Sequence, residues 1–93
     1  MSTTILTKAP ADVLDYDFDF SRWMPSGDRI TNATASLTGT GAIVTDVEWS
    51  DLVARIWMSG GANDEAGTLA ILITTHAGRT KEVTASVRIR EDA

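Results

Sequence analysis

The chain has 93 residues, 13 acids against 8 bases for a net charge of −5, and no cysteine. That length suits one domain with one modest core, and the missing cysteines exclude a disulfide framework or a thiolate zinc site. No segment is apolar for long enough to span a bilayer as a helix, and the opening Met1-Ser2-Thr3-Thr4 lacks the basic start of a signal peptide, so synthesis and use without Sec export are expected.

The charge is uneven. Residues 1–51 carry eight acids (Asp12, Asp15, Asp17, Asp19, Asp28, Asp46, Glu48, Asp51) and three bases, whereas residues 52–93 carry five of each. An acidic half repels phosphate, which speaks against nucleic acid and anionic membranes and for a basic protein partner.

In chain order, residues 1–12 read as an N-terminal arm, flexible unless something docks it, with Pro10 holding Ala9 extended. Residues 13–91 read as one domain. Asp15-Tyr16-Asp17-Phe18-Asp19-Phe20 alternates acid and aromatic with a period of two, the signature of a strand with a packed face and a solvent face. On this reading Phe18 belongs to the core. Met24-Pro25-Ser26-Gly27 ends the strand as a turn. A threonine-rich strand follows, with Thr31, Ala33, Ala35 and Leu37 on one face.

Trp49, Leu52, Val53, Ile56 and Trp57 match an amphipathic helix, but Leu52, Ala54, Ile56 and Met58 also alternate around a two-residue Ser50-Asp51 turn. The Thr/Val-rich, Gly-bounded context favours a hairpin; periodicity alone leaves both open. Leu69 to Ile73 is the most apolar run and reads as a central strand covered on both faces. His76 to Arg79 forms a turn, and Val83, Ala85, Val87 and Ile89 face inward on the last strand. The sum is an all-β chain of about six or seven short strands, best accommodated by an immunoglobulin- or fibronectin-like antiparallel β-sandwich without a disulfide. A Greek-key barrel is the alternative.

Chemistry is scarce. Asp15, Asp17 and Asp19 imitate the start of a calcium loop, but Phe20 stands where glycine is required and Ser26 where glutamate is required. His76 is the sole histidine, G-x-S-x-G is absent, and no G-K-S/T follows Gly60-Gly61. No catalytic, cofactor or metal residue is therefore assigned. Asp15, Asp17, Asp19, Arg22 and Trp57 are the candidate partner interface: an acidic row, with the arginine and aromatic types that concentrate at interface centres. Trp57 is out of phase with Leu52, Ala54, Ile56 and Met58, which makes it the tryptophan to expect at the surface.

Three blocks together carry a resemblance. They are Lys8-x-Pro10 with Val13-Leu14-Asp15-Tyr16 and Asp19-Phe20-Ser21-x-Trp23-Met24-Pro25-x-Gly27-Asp28; Val53-x-x-x-Trp57-Met58-Ser59-Gly60-Gly61 with Gly67-Thr68; and Ile73-Thr74-Thr75-x-x-Gly78-Arg79-Thr80 with Val87-Arg88-Ile89-Arg90-Glu91. In these the chain resembles the bacteriophage fibre–tail adaptor proteins, small structural proteins of tailed phages. The resemblance implies a non-enzymatic virion component made in the host cytoplasm. Its implied partners are other tail or fibre proteins, with several copies assembling in a ring as a further expectation. It also favours the hairpin at Trp49–Trp57. The competing function is an immunoglobulin-like module that recognises carbohydrate at a cell surface through exposed aromatic residues.

Overall fold

A computed structural model describes residues 4–92. Seven strands run in chain order through the described residues: β1 (Thr4–Lys8), β2 (Leu14–Asp19), β3 (Ile30–Thr38), β4 (Ile43–Trp49), β5 (Val53–Ser59), β6 (Ala66–Thr75) and β7 (Thr80–Ile89). They form two sheets, ordered β1-β7-β6-β3 and β2-β5-β4. All neighbours are antiparallel except β1, which lies parallel to β7 with Thr4 opposite Ala85 and Lys8 opposite Ile89.

Period-two alternation sets the core. Ala54, Ile56 and Met58 of β5, Leu69, Ile71 and Ile73 of β6, and Val87 and Ile89 of β7 are fully buried, and these residues of both sheets belong to one cluster. Each large aliphatic side chain so removed from water contributes roughly 1.5–3 kcal/mol. The strand β3 lies against β4 and joins the sheets on that side. On the opposite side β1 and β2 stand apart, leaving a groove of about 400 Å³ lined by Leu6, Tyr16, Phe18, Trp23, Val83 and other side chains.

Several expectations change. The stretch read as an arm contributes β1, because Leu6 turns inward beside the core and Lys8 is fully buried. Residues Met1–Thr3 of that expected arm lie outside the described residues. Phe18 is only half-buried, since it lines the open groove, while Phe20, where β2 runs into its turn, is 4% exposed. The run Leu69 to Ile73 is covered on one face only: among the described residues no element packs on the outer side of its sheet, and Leu72 is 40% exposed there. A register shift between Ile30 and Asn32 turns Thr31 out and brings Ile30 into the core in its place. Residues 49–57 form the β4–β5 hairpin, but the bend spans residues 50–52, closed by Ser50 N–H donating to the Val53 carbonyl at 2.9 Å.

Candidate functional site

The exposed face of the β2-β5-β4 sheet carries the candidate residues. On β2 the odd positions Asp15, Asp17 and Asp19 point outward, because the even positions are committed to the interior. Pairing with β5 sets Asp15 opposite Trp57 and Asp17 opposite Arg55. On the other flank β4 sets Asp46 opposite Trp57 and Glu48 opposite Arg55. Five carboxylates and one guanidinium therefore share this face.

Arg55 is the hub. Its Nε donates to Asp17 Oδ1 at 2.8 Å and its second nitrogen reaches Asp17 Oδ2 at 3.3 Å, while Asp15 Oδ2 lies 3.2 Å from Nε. The Arg55 hydrogen bond holds the Asp17 carboxyl below the usual carboxylate range, and Asp17 in return raises the guanidinium's affinity for its proton. Among the described residues no three His, Cys, Asp or Glu side chains converge as metal ligands.

Trp57 is half-buried, and its indole N–H donates to Glu48 Oε1 at 2.7 Å. The indole is thus tied to a neighbour within the acidic face. The tryptophan with the most exposed surface is Trp49, 42% exposed at the end of β4. Asp19 accepts from the Ser21 N–H at 2.8 Å, which lowers its pKa and starts the turn after β2.

Four of the five candidates, Asp15, Asp17, Asp19 and Trp57, come together on this face. Arg22 does not: it sits in the turn after β2 and lines the groove near Trp23 and Lys81. The sequence candidates left out Arg55, which alternation already puts on Trp57's face, and also Glu48 and Asp46. Counting outward from the hairpin bend was the signal that would have found them, since it places them on the same parity as Trp57.

A family described as podophage GP4 fiber-tail adaptor protein gp77 matches residues 8–88. The chain belongs to that family. No curated protein matches it significantly. Membership decides between the two functional readings: the adaptor is a non-enzymatic phage structural protein that links tail components, made in the bacterial cytoplasm and built into the virion. Its partners are other tail and fibre proteins. The match begins at Lys8 and ends at Arg88, so it takes in all of β2 to β6 and with them the whole acidic face.

Proposed function

We propose that the adaptor engages its tail or fibre partner through the outer face of the β2-β5-β4 sheet, with Asp15, Asp17 and Asp19 meeting a basic surface. One observation carries this: five carboxylates and a single arginine share that face. Such a surplus steers a basic partner and fixes its register. Trp57, its indole tied to Glu48, supplies apolar area at the centre.

The fold supporting this face is an immunoglobulin-like sandwich. Lettered A to G in chain order, the strands give B-E-D in one sheet and C-F-G in the other, the immunoglobulin arrangement. The departure is that the first strand joins the last instead of the second. Several copies act side by side on each tail, so that individually weak contacts combine into a firm one.

The test is assembly with the triple variant Asp15→Asn/Asp17→Asn/Asp19→Asn. The variant is expected to stay folded and to be depleted from purified virions, read by quantitative mass spectrometry. Incorporation at the wild-type level would refute the acidic-face interface.

A further inference from the structure

The strand β2 ends its sheet, and among the described residues no strand lies along its outer backbone edge. The direction of that edge follows from one hydrogen bond: Phe20 N–H donates to the Leu52 carbonyl at 2.8 Å, so the even residues of β2 address β5. In an antiparallel pair both polar groups of one residue point to the same side and alternate along the strand. The N–H and C=O of Asp15, Asp17 and Asp19 therefore face away from the sheet. The same three residues turn their carboxylates to its outer face. Just inside the edge lies the groove, with Leu6 and Val83 on one wall and Tyr16 and Phe18 on the other.

A strand laid along β2 would meet all three features together. Its backbone would pair with the free groups of the three aspartates. Its side chains would alternate between the groove and the acid row. We propose that the β2 edge and its groove bind an extended segment of a partner protein in which apolar and basic residues alternate. This rests on the acidic-face reading above and adds the mode of binding.

Charge complementarity selects the occupant. A second copy pairing β2 with β2 would bring two aspartate rows together across the new ladder, and like charges opposite one another destabilise a pair. A segment with lysine or arginine at alternate positions reverses that sign. Arg22 and Lys81 line the groove at its Trp23 end, which confines the basic positions to the stretch beside the aspartates.

The experiment is an NMR titration of the full chain with two synthetic peptides as long as β2 and equal in composition. One alternates valine and lysine; the other carries the same residues in two blocks. The alternating peptide is expected to shift the amides of Asp15, Asp17 and Asp19 and the methyl groups of Leu6 and Val83. The block peptide should bind about tenfold weaker or less, and the triple asparagine variant, its fold checked in the same spectra, should lose affinity for the alternating peptide to a similar degree. Equal binding of both peptides would overturn the strand-addition mode while leaving the acidic interface standing. Binding of neither would overturn both. Shifts on β4 with none on β2 would overturn the choice of edge.

Discussion

The ammonium of Lys8 donates to the carbonyl of Gly60 at 2.7 Å, across 52 residues of sequence. It also donates to the Ala9 carbonyl at 2.6 Å, and Pro10 O lies 3.4 Å away. Lys8 is fully buried and forms no ion pair among the described residues, so backbone carbonyls alone solvate its charge. This tie fastens the end of β1 to the loop after β5 and so links the two sheets. Lys8→Met is expected to leave those carbonyls without a donor and to cost about 2–3 kcal/mol, read as a lower urea midpoint at unchanged m-value. An unaltered midpoint would mean that the loop re-satisfies itself with water.

Two glycines, Gly61 next to this tie and Gly67 in β6, are constrained by close neighbours. Gly61 has φ +92, and a Cβ there would sit 3.0 Å from Ile89 Cγ1 and 3.2 Å from Ala42 Cβ. At Gly67 a Cβ would collide with the Thr38 carbonyl and lie 2.8 Å from Thr40 Cγ2. Gly61→Ala and Gly67→Ala are each expected to destabilise by about 1–3 kcal/mol. The larger loss belongs to Gly67, since its obstacle is strand backbone and cannot swing aside. Thermal melts of the two variants would show the order.

Phe18 and Phe20 separate the groove from the core. Phe20→Ala is expected to cost about 3–5 kcal/mol, as for a large side chain removed from a sealed interior. Phe18→Ala should cost about 1–2 kcal/mol, because its ring is half in water already. Asp17→Asn should leave the urea midpoint close to wild type, since exposed ion pairs contribute little. Equal losses for the two phenylalanine variants would mean that the groove closes in solution.

How far the sequence foretold this face can be read from Arg55 and Thr31. A two-residue turn at Ser50-Asp51 puts Arg55 opposite Asp46, whereas the longer bend puts it opposite Glu48. The slip is an even number of residues, so every side chain keeps its face and the acidic surface survives the error. Thr31 fared worse: the bulge next to it adds one residue, so it is exposed and no longer shares the face of the buried Ala33. A bulge leaves no mark in a threonine-rich pattern whose two faces differ little in polarity. The docking of β1 was hidden for another reason. Its parallel partner β7 lies at the far end of the chain, and a lysine at its centre of anchorage reads as a surface residue until its carbonyl acceptors are in place.

Stability should fall in acid, and the sign follows from which carboxylates have lowered pKa values. Glu65 accepts from the N–H of Ala62 at 2.7 Å, from Thr40 Oγ1 at 2.9 Å and from the N–H of Gly41 at 3.1 Å, and these bonds hold its pKa below 4.5. At Asp28 burial works to raise the pKa, but hydrogen bonds from Thr75, Ala77, Arg29 and Arg79 outweigh it and hold the carboxyl below 3.8. Asp17, through Arg55, and Asp19, through Ser21, are lowered too. A lowered folded pKa means that the unfolded chain takes up protons first as pH falls. The stabilisation is therefore complete above the unfolded values of 3.8 and 4.5 and drains away as pH drops through them towards the folded values. Tyr16 acts at the other end: burial, with Asp12 adding to it, raises its pKa above 10.0, and its hydroxyl donates to the Thr7 carbonyl at 3.0 Å. Its share is complete below pH 10.0 and is lost as pH rises through the folded value. Urea midpoints measured against pH should thus show a plateau with an acid shoulder. Glu65→Gln should lower the plateau and flatten the shoulder. Added salt should weaken the Asp17 share, an exposed ion pair, more than the Glu65 share, which rests on neutral hydrogen-bond donors. A shoulder untouched by Glu65→Gln would place the acid sensitivity elsewhere in the chain.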